Sequence, residues 1–284
     1  MTQPSVDPVP SISEAEAIGA TKAIYEDFKA VTGVPVVNLI FRHIATLPGC
    51  LEWSWAVLRP LYASGAVATS ATHLMDSLEI PAIPRLPHAA LRAVGIDAPG
   101  EAAINRILDA YNRSNPMNLI ALTTLLAHLS NPDQATALAP PAASLPTRPL
   151  TSESLPPLIA IEDMNAETRT LAQMLNSFGA QGETRTMASM YRQLAHWPGY
   201  LAISLTLLHP LHQSGQLQRC VSQAQTSATR LAQELLTQLV PTATPPPGEA
   251  SQIALQTALS AFTSNLIVEM LPVGKILRAA QPSP

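Results

Sequence analysis

The chain has 284 residues, with 16 basic and 20 acidic side chains and a formal net charge of -4. Charged residues make up 13% of it, against about 25% in an average soluble protein. No run of Lys and Arg is present, which excludes the clustered positive charge that a nucleic-acid partner requires. Apolar residues reach 47% with only 4% aromatic, so the core must be built mainly from Leu, Ala, Ile and Val.

In chain order, the opening MTQPSVDPVP has neither the basic start nor the apolar stretch of a secretory signal, and a cytoplasmic location is expected. Ser13, with Glu16 three residues on, has the spacing of a capping box. It opens EAEAIGATKAIYEDFKAV, where Ile18, Ala23, Ile24 and Phe28 recur near the helical period. VPVVN is the one short stretch with strand character. NLIFRHIATL reads as a second helix, stopped by Pro48–Gly49; CLEWSWAVLRPL is a third and ATSATHLMDSL a fourth. After the proline-broken stretch 81–100, AAINRILDAYN and NLIALTTLLAHL read as two helices on either side of a break at Asn115–Pro116. Residues 131–163 carry Pro132, Pro140, Pro141, Pro146, Pro149, Pro156 and Pro157 among Ala, Ser and Thr, the composition of an extended linker. The apolar stretch YLAISLTLLHPL in the second half is too short for the roughly 18 residues of a membrane span. No membrane partner is expected.

The two halves repeat one another. Shifting 41–67 by 150 residues, without a gap, pairs FRHIATLPGCLEWSWAVLRPLYASGAV with YRQLAHWPGYLAISLTLLHPLHQSGQL. Identities include Arg42/Arg192, Pro48/Pro198, Gly49/Gly199, Ser54/Ser204, Pro60/Pro210 and Gly65/Gly215. With small gaps the similarity extends from ATKAIYEDF against ETRTLAQML to AAINRILDAYNRSN against SQIALQTALSAFTSN. The expected architecture is all-α: two tandem homologous helical repeats, 1–130 and 164–284, joined by the 131–163 linker and packed as a pseudo-dimer. A chain that already contains its own two-fold is expected as a monomer or weak homodimer.

Catalytic motifs for phosphate, zinc or an acyl nucleophile are missing, and no cofactor or metal is expected. Cys50 and Cys220 lack any CxxC partner. His209 and His212 stand at i,i+3 with no third ligand, and Pro48–Gly49 breaks the helix that would join His43 to Cys50. Asn38, Asn115, Asn118, Asn265 and Glu269 are polar residues within apolar helices. Their amides either satisfy carbonyls at helix breaks or orient a water or polar ligand. Arg42 and Arg192 likewise either satisfy terminal carbonyls or form an anion site for a carboxylate.

Taken in order, GVPVVNLIFRHIATLPGCLEW, ILDAYNRSNPMNLIALT and MASMYRQLAHWPGYL resemble the group I, or DL-, 2-haloacid dehalogenases across both repeats. The resemblance implies one active site between the repeats. There a carboxylate activates water to displace halide from C2 of a 2-haloalkanoic acid, with inversion and without cofactor. Position by position, it implies that the asparagine of the family's G/S-N-P turn is Asn115 and that pocket-wall positions fall on Val36 and Leu39. The family's Ser-Asp-aromatic triplet falls on Ser189, Met190 and Tyr191, and a tyrosine of the last helices on Phe262. The carboxylate position is thus occupied by Met190, which cannot accept a proton. Three readings stay open: another acid such as Glu183 serves, a different reaction runs in the same pocket, or the chain is a non-hydrolysing homologue that binds a small carboxylate. A scaffold without a cavity is a further structural reading.

Overall fold

A computed structural model describes residues 9–131, 154–178 and 186–282, and every regular element among them is helical. The first half holds α1 (Gly19–Thr32), α2 (Leu39–Ile44), α3 (Cys50–Ala63), α4 (Ala66–Ser77), α5 (His88–Ala93) and α6 (Ala98–Ser130). A short 3-10 turn, Ile161–Asp163, leads into α7 (Ala166–Asn176), α8 (Ser189–Leu194), α9 (Pro198–Gln213), α10 (Gln216–Leu236) and α11 (Glu249–Ala261). A π-turn, Phe262–Leu266, then joins α11 to α12 (Ile267–Ala279).

Several local details recur in both halves of the chain. Gly65 and Gly215 open α4 and α10 from the left-handed region, at φ 80° and 71°, a conformation that glycine adopts without Cβ strain. The end of α2 is tied to the chain before α1, where Ile12 N–H donates to the Arg42 carbonyl at 3.0 Å. Correspondingly, Ile159 N–H donates to the Arg192 carbonyl at 3.3 Å.

Three local expectations change. The capping box closes, with Ser13 Oγ 2.6 Å from Glu16 Oε2. It caps a single turn only, because the backbone extends at Ala17–Ile18 and α1 restarts at Gly19. VPVVN forms no strand, having no partner to pair with. The break at Asn115–Pro116 does not occur, and α6 runs through Pro116 for 33 residues. Proline there forfeits the bond to the Asn112 carbonyl and disfavours a helix by roughly 3 kcal/mol. Burial of the whole segment from Ser114 to Leu122 outweighs that. Close packing against α12 also holds the turn, because Asn112 Nδ2 donates to the Gly274 carbonyl at 3.0 Å. A Cβ on Gly274 would lie 2.5 Å from Asn112 Oδ1. Of the linker, 132–153 lies outside the described residues, and the partly buried stretch 154–160 is bonded to α8. Arg192 Nε donates to the Ile159 carbonyl at 2.9 Å and Gln193 Nε2 to the Pro156 carbonyl at 2.8 Å.

Two buried apolar clusters form the core, and α6 and α12 belong to both. Met117, Ile120 and Leu125 of α6 join the first cluster, with α1 to α4 and α10. Ile104, Ile107 and Leu108 join the second, with α7 to α9. On α12, Ile267, Val268 and Leu271 face the first and Met270, Val273 and Leu277 the second. No helix among the described residues is long and apolar enough to cross a membrane.

Candidate functional site

Where the two clusters meet, a cavity of about 40 Å³ opens. A water needs roughly 10–15 Å³ on the same measure, so a few waters fit. The first turn of α2 supplies Leu39 and Ile40, with Asn38 just before them. The first turn of α8 supplies Ser189 and Met190, with Ala188 before them. Tyr111 and Asn115, one turn apart on α6, form one wall. Phe262, Leu266, Ile267 and Met270 form the other. The positions from α2 and α8 are related by the 150-residue shift, so equivalent helix starts meet at one point.

The polar groups are few and interlocked. Asn38 Nδ2 donates to Ser114 Oγ at 3.2 Å and to Asn115 Oδ1 at 3.3 Å. This fixes the Asn115 amide and leaves Asn38 Oδ1 buried without a partner. Arg42, 7% exposed, reaches behind this wall, with Nη2 donating to Ser189 Oγ at 3.4 Å. Burial pulls its guanidinium below the ordinary arginine value, Tyr111 opposes the shift and Arg192 adds to it. A buried cation behind Ser189 and Tyr111 gives the cavity a positive potential. Burial chiefly drives the Tyr111 phenol up, beyond the range of physiological titration. Tyr111 is therefore a donor in this setting. No carboxylate among the described residues lines the cavity.

Six residues singled out in the sequence, Asn38, Leu39, Asn115, Ser189, Met190 and Phe262, come together here. Val36 does not: it sits in the bend before α2 and packs against the first cluster. Tyr191 does not line the cavity either, since one step along a helix turns the side chain by roughly 100°. It is fully buried in the second cluster, close to Glu269. Asn118 accepts from Tyr62 Oη at 2.9 Å inside the first half, and Asn265 Nδ2 donates to the Ala261 carbonyl at 3.2 Å. Glu183 lies outside the described residues. Arg192 donates from Nε to the carbonyl of Ile159 in the extended segment before α7, whereas Arg42 stands at the cavity. Sequence reasoning missed Tyr111, Ile40, Ala188, Leu266, Ile267 and Met270. Tyr111 stands at i,i+4 to Asn115, a spacing that places both on one helix face.

The remaining candidates resolve as packing. His209 and His212 lie against the Phe178 ring at centroid distances of 5.9 and 4.7 Å. His43 Nδ1 is 2.7 Å from the Pro10 carbonyl, while Cys50 Sγ donates to the Ser251 carbonyl at 3.5 Å. The Cys50 thiol is pushed up to about 11, mainly by burial, and is no nucleophile at neutral pH. Among the described residues, no group of three or more His, Cys, Asp or Glu side chains is placed to hold a metal.

No family model matches the chain. Over 127 residues it is 30% identical to a configuration-inverting 2-haloacid dehalogenase of Alcaligenes xylosoxydans xylosoxydans. That alignment spans 44% of this chain and 42% of the relative, less than half of its length. The likeness of the structures is more extensive. A D-2-haloacid dehalogenase mutant superposes with a TM-score of 0.76 at 18% identity, over 96% of this chain and 95% of that one. The complex of such a mutant with D-2-CPA gives 0.77 at 17% identity over the same shares. A D-2-haloacid dehalogenase complex with L-LA gives 0.77 at 18% identity over 96% of each chain. This is the fold of the D-2-haloacid dehalogenases. Within that dehalogenase fold, the present cavity is lined by two amides, a phenol, a serine hydroxyl and apolar or thioether side chains.

Proposed function

We propose that the chain is a 2-haloacid dehalogenase-like protein of the group I type. Its two tandem repeats, 1–130 and 164–284, pack as a pseudo-dimer, and its cavity binds a small 2-substituted carboxylic acid without hydrolysing it. One observation carries this reading: Met190, 1% exposed, stands in the cavity wall where the family's carboxylate is expected, and no described residue of that wall replaces it. Asn38 Oδ1 and the Asn115 amide can hold a water between them. Neither amide accepts its proton at neutral pH, so the water stays a poor nucleophile. Binding needs less. The ligand carboxylate faces Ser189 and the Tyr111 hydroxyl with Arg42 behind, and its alkyl end lies among Leu39, Phe262, Ile267 and Met270. The dehalogenase resemblance supports a second reading, in which Glu183 activates the water in place of the missing carboxylate.

Calorimetry with each enantiomer of 2-chloropropionate, run beside a halide-release assay, separates the two. The expected result for the wild type is saturable binding of one acid per chain with no halide released. Halide release that disappears in Glu183→Gln establishes the second reading instead. Asn115→Ala removes an amide from the cavity and one of two acceptors of Asn38 Nδ2. It is expected to weaken 2-chloropropionate binding by roughly fivefold, the worth of one neutral hydrogen bond to the water held beside the ligand. The melting temperature should change little, because Ser114 still accepts from Asn38. A large fall in melting temperature with unchanged affinity would assign Asn115 to the scaffold.

A further inference from the structure

The shift that relates the repeats also relates two surface grooves. Between α4 and α6, a groove of about 460 Å³ is lined on its α4 side by Ala68, Ala71, Thr72, Met75 and Asp76. Between α10 and the π-turn, a groove of about 290 Å³ is lined on its α10 side by Gln218, Val221, Ser222, Gln225 and Thr226. Each of these five numbers is the α4 number plus 150. Ala68 and Met75 of the first groove are thus replaced by glutamines in the second. On the facing wall of the second stand Ser264, Asn265 and Glu269. Continuing the pairing of Asn115 with Asn265 sets Glu269 against Leu119, a fully buried core leucine. An apolar core position in one half is a carboxyl in the other.

Three polar atoms of this groove are buried without a partner: Glu269 Oε2, Gln225 Oε1 and Gln218 Nε2. Glu269 is only 2% exposed, and among the described residues no Lys, Arg or His lines the groove with it. The titratable group facing it from the neighbouring α8 is the Tyr191 phenol, which offers no positive charge. A carboxyl held this deep without a cation is unfavourable unless something else neutralises it. We propose that this groove is a second ligand site, which takes the primary ammonium group of a small amine with Glu269 as its counter-ion.

The geometry fits that ligand class. An ammonium has three N–H donors and no acceptor. The groove offers Glu269 Oε2, Gln225 Oε1 and the Asn265 carbonyl oxygen, whose own Nδ2 is already committed to Ala261. Gln218 lies two turns along α10, roughly 10 Å away at the helical rise, and its free Nε2 is a donor. The far end of the ligand is therefore an acceptor such as a hydroxyl. The π-turn separates this groove from the cavity: Phe262 and Leu266 face the cavity, Ser264 and Asn265 the groove. Such turns occur often at functional positions.

The test is calorimetry on the full chain at pH 8 with 5-amino-1-pentanol as probe and 1,5-pentanediol as its uncharged counterpart. Saturable binding of one amine per chain is expected, with the diol at least tenfold weaker and Glu269→Gln losing at least tenfold in amine affinity. No heat with the amine, equal binding of the diol, or undiminished binding in Glu269→Gln overturns the assignment. Gln225→Leu is the second variant, expected to lose several-fold, and it decides the matter if Glu269→Gln does not fold. Binding of 2-chloropropionate to the cavity is read separately and should be unaffected by either substitution.

Discussion

Met190→Asp is expected to confer halide release from 2-chloropropionate, if the wild type binds the acid without turning it over as proposed. The new carboxylate would stand in the cavity wall beside Ser189, with Asn115 and Asn38 across from it to orient a water. Arg42, bonded to Ser189 and lacking any carboxylate partner of its own at Nε, keeps that carboxylate ionised and thus able to take a proton. A positioned general base contributes roughly 10²–10⁴-fold in rate, which raises an undetectable reaction to a measurable one. The substitution also removes a buried thioether and introduces a charge, so a stability loss of about 2–4 kcal/mol is expected. Melting temperature should therefore be measured first, with Met190→Asn as the control that matches size without basicity. A folded Met190→Asp that binds the acid and releases no halide, from either enantiomer, would show that the cavity does not serve this reaction.

Glu269→Gln has the second large expected effect, on stability as a function of pH. Burial raises the Glu269 carboxyl from 4.5 to about 7, so the fold favours its neutral form. The stability from that preference is whole below about pH 4.5. It is lost as pH rises from there through about 7 and stays lost above. The full span corresponds to roughly 3 kcal/mol. In Glu269→Gln this dependence should vanish, leaving the variant close to wild type at pH 5. At pH 8 it should melt higher by on the order of 5 °C. Parallel melting curves of the two proteins across pH 5–8 would assign the wild-type slope to other groups.

Much of the fold is written locally. Pro48–Gly49, Pro198–Gly199 and the Ser-Gly pairs at 64–65 and 214–215 mark helix ends through backbone chemistry that needs no tertiary context. The ungapped match of 41–67 with 191–217 pairs α2, α3 and the start of α4 with α8, α9 and the start of α10. Pro116 was misleading for the opposite reason: its effect on α6 depends on burial and on the approach of Gly274, neither of them local. At the site, Asn115, Ser189 and Met190 were legible because they fall within matched motifs. Tyr111 and Met270 reach the cavity only because α12 crosses α6 at that height. Tyr191 is lost from it because a helical step carries its side chain away. Glu269 was visible as a polar residue in an apolar helix, whereas its groove was not, since the wall opposite comes from α10.

The path of α6 limits how this molecule can come apart. Its first half completes one buried cluster and its second half the other. Detaching either repeat would expose an apolar stripe of this one helix to water, at a loss of roughly 2 kcal/mol for each leucine or isoleucine uncovered. The two halves of the chain are thus not autonomous folding units. Unfolding is expected as one cooperative event, in which neither half outlasts the helix it shares with the other.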